Sequence, residues 1–160
     1  MPGHKGPPPP HERENQRAFN TPENALKAIA TTRERLASLA PGKVWRHRAP
    51  HGEPEIKASL MLDGIAVVLL HFSPEDGSLL PKGLHAIREG KPEILSLVQS
   101  RLQEIPRKLT ILEGAEFREP ESCWAIPLAC EGRIVGHLKV SADGATIIAD
   151  KKAVEDCARS

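Results

Sequence analysis

Apolar and polar residues follow two different rhythms along this chain. Leu26, Ile29, Leu36 and Leu39 recur near helical spacing behind Thr21-Pro22-Glu23, where a hydroxyl can cap free N–H groups and proline suits the first helical position. The spacing predicts a helix from about Pro22 to Leu39, stopped by Ala40-Pro41-Gly42. A second such stretch, PEILSLVQSRLQEI, sets Ile94, Leu95, Val98, Leu102 and Ile105 on one face between Pro92 and Pro106.

Between these helices the rhythm changes to that of strands. IKASLML and IAVVLLHF flank Asp63-Gly64, a dipeptide that favours the positive φ angles of a tight hairpin turn. With regular pairing, Leu62 opposes Ile65, Leu60 opposes Val67, Ala58 opposes Leu69 and Ile56 opposes His71. On this register His71 closes the apolar side of a strand that is apolar on both faces and therefore central. A second hairpin, SCWAIPLA-CEG-RIVGHLKV, places Ile126 opposite His137 and Trp124 opposite Lys139. Pro127 inside it suggests a sheet edge or a bulge, because proline has no N–H for the ladder.

KVWRHR reads as an edge strand bearing Arg46, His47 and Arg48, and further strands are expected around 108–117 and at ATIIA. Asp150 can cap a short last helix. The expected class is α+β: an antiparallel sheet of about six strands built from hairpins, two main helices on one face, and a short C-terminal helix. No internal repeat stands out.

Composition narrows the picture. With two Trp, three Phe and no Tyr the core must be aliphatic, and stacking platforms for bases are scarce. The net charge of +1 hides a division, with nine Lys/Arg against four Glu in residues 1–50 and thirteen against seventeen acids afterwards. Residues 1–20, with PPPP and a polar run, read as a disordered proline-rich tail, leaving 21–160 as a single α+β domain. Nothing resembles a secretory signal or a membrane span, so a cytoplasmic protein without membrane partners is expected. Cys123, Cys130 and Cys157 form no C-x-x-C pair and read as reduced thiols; a spacing of seven puts the first two on opposite strand faces.

Candidate chemistry concentrates in the loop after the first hairpin. His71 and His85, with Glu75 or Asp76, could hold a divalent metal, or a carboxylate could orient an imidazole acting as base. Lys82, between Pro81 and Gly83, could join backbone N–H groups in holding an anion, and Arg33, Arg46 and Arg48 could meet phosphates. Phosphate loops, the G-x-S-x-G elbow and calcium-loop spacings are missing, so no cofactor is predicted. The leading expectation is a small soluble binding or interaction domain without catalysis, its partner a protein or small molecule. A metal-dependent or general-base site on the 71–85 loop and weak nucleic-acid binding through the basic N-terminal third are the alternatives. An exposed edge strand also leaves a homodimer open.

Overall fold

A computed structural model describes residues 18–159, apart from the side chains of 157–159. The proline-rich tail expected over 1–20 falls almost wholly outside these residues, as does the Cys157 thiol.

Helix α1 spans Pro22–Arg35 and is capped as expected, the Asn24 N–H donating to Thr21 Oγ1 at 3.2 Å. A 3-10 turn over Leu36–Ser38 leads into β1 (Ala40–Arg48), β2 (Pro54–Leu62) and β3 (Ile65–Phe72). After a long loop come α2 (Ile94–Leu102) and α3 (Ile105–Lys108), with Pro106 opening a helix rather than ending one. Then follow β4 (Thr110–Ile111), β5 (Glu116–Arg118), β6 (Cys123–Cys130), β7 (Arg133–Ser141) and α4 (Lys151–Arg159). The class is α+β, with seven antiparallel strands in sheets of three and four. The expected strand ATIIA is reduced to a single bridge, Val140 to Ile147.

Both hairpin turns form as their sequences demand, with positive φ at Asp63 and Gly64 and again at Glu131 and Gly132. The register expected beyond them is wrong by one residue, for the same reason in each hairpin. Leu60 pairs with Val68 while Met61 pairs with Ala66, so Val67 is an extra residue; Val135 is the extra residue in β7. A bulge moves every later side chain to the other face. His71 therefore opposes Lys57 rather than Ile56, and His137 opposes Pro127 rather than Ile126. The core-facing sets become Ile56, Ala58, Leu60 with Val68, Leu70, Phe72, and Trp124, Ile126, Leu128 with Leu138, Val140. Both histidines lie on the opposite face, away from this core.

Strand positions also differ from expectation. β2, not β3, is the middle strand of its sheet, and Pro127 lies in the interior strand β6. Its carbonyl accepts from Leu112 N–H at 3.2 Å, so its backbone polar groups face the β4/β5 side. The neighbouring strand is interrupted there, between Ile111 and Glu116, which removes the need for the N–H that proline lacks.

The helix stripe holds in part: Ile29, Leu36 and Leu39 pack on the core as expected, but Leu26 is 69% exposed, whereas Ala28 and Thr32 are fully buried. Small Ala28 permits close approach to Gly144, where an added Cβ would stand 3.0 Å from the Ala28 nitrogen and 2.7 Å from the Asn24 carbonyl oxygen.

A two-fold internal repeat organises these elements. Leu80 N–H donates to the His71 carbonyl and Ile148 N–H to that of Lys139; Ser73 N–H reaches Ser78 O, and Ser141 N–H reaches Thr146 O. Every donor and acceptor in the second member of each pair stands 68 residues after its counterpart. The helices are exchanged between the halves: Thr31 Oγ1 of α1 donates to Gly144 O, and Arg101 Nη1 of α2 donates to Asp76 O. One aliphatic core cluster consequently draws on both halves, which makes their separation costly.

The halves meet where β3 runs beside β7. Lys82 N–H donates to Ile134 O at 2.8 Å, and its counterpart Asp150 N–H donates to Ala66 O at 2.9 Å. Gly136 allows the close approach, for a Cβ there would lie 3.2 Å from the Leu69 carbonyl oxygen. On the side away from the core, α4 packs over β3 and β2, its first turn capped by Asp150 accepting from Ala153 N–H at 2.9 Å. It carries Asp156 to 2.9 Å from Lys57 Nζ, closing an ion pair whose lysine side chain is only 1% exposed.

Candidate anion-binding site

The seam between β3 and β7 forms a cleft of about 260 Å³. Leu69 and His71 enter from β3, Val135, His137 and Lys139 from β7, Arg118 from the end of β5, Lys82 from the loop after β3, and Asp150 and Lys152 from the start of α4. The bulges put the two histidines here; without them both would point at the core. Backbone bonds at Lys82 and Asp150 fix the two segments that complete the rim.

Charge is the cleft's dominant property. Four cationic side chains, Lys82, Arg118, Lys139 and Lys152, face one lining carboxylate, Asp150. Lys139 is held by Glu121 at 2.7 Å, and that hydrogen bond keeps the Glu121 carboxyl below its ordinary range. Burial, then repulsion from Arg118 and Lys139, lowers the Lys82 pKa against the opposing pull of Asp150 and Glu116.

Both imidazoles are neutral at pH 7. His71 is pushed down to about 4, first by burial and then by Lys57, Lys152 and Lys82, with Glu55 acting in the other direction. His137 is likewise pushed to about 4, by burial and by Lys82, Arg118 and Lys139. Lys82 Nζ lies 2.8 Å from His137 Nδ1. Because an ammonium can only donate, Nδ1 accepts and the ring proton sits on Nε2.

Of the residues singled out from sequence, the cleft takes His71 and Lys82. His85 sits instead beside Glu55, at 3.6 Å. Glu75 approaches Arg88 at 4.0 Å, while Asp76 accepts from the Ser78 N–H and hydroxyl, bonds that lower its pKa. Among the described residues no three His, Cys, Asp or Glu side chains stand where they could share a metal ion. Arg33 faces Glu113, Arg46 donates to the Lys91 carbonyl, and Arg48 engages the Gly52 carbonyl and Glu89. Arg46 and Arg48 thus share one cleft of about 390 Å³ beside the 89–91 segment, and Arg33 lines a different one.

Arg118, His137, Lys139, Asp150 and Lys152 are the site residues that sequence reasoning did not assemble. For three of them the signal is the 68-residue equivalence, which pairs His71 with Lys139, Leu69 with His137 and Lys82 with Asp150 around the seam; Arg118 and Lys152 carry no such signal. Cys123 and Cys130 are buried free thiols; Cys130 belongs to the core cluster and Cys123 does not. Burial is the main cause of the raised pKa of each.

Larger depressions carry less directed chemistry. One of about 550 Å³ beside α2 and α3 intersperses Arg101, Lys108 and Arg133 with Glu104 and Glu131, so its field is mixed. No helix among the described residues is long and apolar enough to cross a membrane. No family model, curated protein or solved structure matches the chain.

Proposed function

We propose that this protein is a small binding domain without catalytic activity of its own, and that its ligand is a small anion held in the cleft between β3 and β7. The observation that carries this reading is the gathering of four cations and two neutral imidazoles, from both halves of the fold, around one carboxylate. Like charges held together at a half-buried seam repel one another and lose hydration, a cost that a bound anion offsets. The free buried thiols fit a reducing compartment, and we place the protein in the cytoplasm on that ground.

Isothermal titration with inorganic phosphate, pyrophosphate and citrate tests the reading. Saturable binding by at least one of the three, weakened about 10- to 100-fold by Lys82→Ala or Arg118→Ala, is the expected result, since a hydrogen bond to a charged group contributes about 1.5–3 kcal/mol. Affinity unchanged in both variants would move the ligand elsewhere and end the proposal.

A further inference from the structure

We infer that the ligand is a tetrahedral dianion of phosphate or sulfate size, free or as the head of a short monoester. This rests on the anion-binding reading above and adds the ligand class to it.

Charge matching supplies the first argument. With Lys139 closed by Glu121, the cleft retains Lys82, Arg118 and Lys152 against Asp150, an excess of two positive charges. A monocarboxylate would leave one of them uncompensated; a dianion meets both. Size supplies the second. A volume of about 260 Å³ lies just below the range of roughly 300–1,000 Å³ that suits drug-sized ligands. A tetrahedral head with a few carbons fits this volume, its body resting on the apolar wall of Leu69 and Val135. The donors agree: the guanidinium fork and the ammonium groups suit several oxygens on one centre better than the single edge of a carboxylate.

Sulfate is the decisive probe because it stays a dianion over the whole working range. Titrations at pH 7 and constant ionic strength compare sulfate with acetate, using wild type and Lys82→Ala/Arg118→Ala. Sulfate is expected to bind at least about tenfold more tightly than acetate, and the double variant abolishes binding. Glycerol phosphate binding more tightly than inorganic phosphate identifies a monoester head; equal affinity identifies the free ion. Acetate binding as tightly as sulfate overturns this inference yet leaves the anion site standing. No binding of sulfate or phosphate overturns the inference, and if pyrophosphate and citrate also fail, the anion site falls with it.

Discussion

Removing the carboxylate of Asp156 should destabilise the fold out of proportion to its place near the chain's end. Lys57 is the largest fully buried side chain among the described residues, its ammonium 2.9 Å from Asp156 and 3.7 Å from Glu55. Taking one partner from a buried pair costs about 3–5 kcal/mol, because the other charge remains away from water. Glu55 stays as a weaker second partner, so Asp156→Ala is expected to cost about 2–3 kcal/mol. For a chain of this size that lowers Tm by roughly 4–12 °C, at about 2–4 °C per kcal/mol. Lys57→Met combined with Asp156→Leu removes both charges and should return stability close to wild type, since apolar replacement of a buried pair is often neutral or favourable. Urea unfolding at pH 7, with slopes compared to confirm that the same surface is exposed, provides the free energies for a double-mutant cycle. A cost below about 0.5 kcal/mol for Asp156→Ala, or additive single effects, would refute the claim that this pair docks α4 onto the sheet.

Three further outcomes follow from the same geometry. Gly136→Ala should cost about 1–3 kcal/mol in urea unfolding, because its Cβ would press on the Leu69 carbonyl and the Val68 side chain at the seam. Gly90→Ala should be still more damaging by thermal unfolding, since φ there is +70° and a Cβ would collide with the Pro74 carbonyl. For the free protein, His71 and His137 have folded pKa values of about 4 against an ordinary 6.5, so the folded chain binds fewer protons than the unfolded one. Their contribution is complete above about pH 6.5 and declines as pH falls towards about 4, by no more than about 1.4 kcal/mol per pH unit for each ring. Half-buried His137 should fall well short of that bound, and His71→Asn should flatten this part of a denaturation-versus-pH curve.

Turn chemistry made the hairpins legible from sequence, because Asp63-Gly64 favours backbone angles that few other dipeptides tolerate and Gly132 supplies the same freedom to the second turn. The bulges were not legible. An extra valine inside an apolar run leaves the hydrophobic pattern intact while reversing which face His71 occupies. The rest of the buried face of α1 escaped for a related reason: Ala28 and Thr32 are buried by close approach to a neighbouring backbone, a tertiary fact with no periodic signature. The repeat was hidden because paired positions such as Leu60 and Leu128, Val67 and Val135, or Leu70 and Leu138 conserve only apolar character, which any strand supplies. Of the cleft, the sequence places His71 at a strand end and Lys82 in the loop after it, but their partners lie as far along the chain as Lys152 and join them only through the seam. Local motifs do not report a site built that way.

Titration of isotope-labelled protein with inorganic phosphate, followed through the backbone amides and the imidazole resonances, tests the seam as a binding site most directly. The amides of Lys82 and Asp150 and the rings of His71 and His137 should move together along one saturable curve. Shifts confined to the Arg46–Arg48 surface, or no saturable shift at the seam with phosphate, pyrophosphate or citrate, would contradict the account.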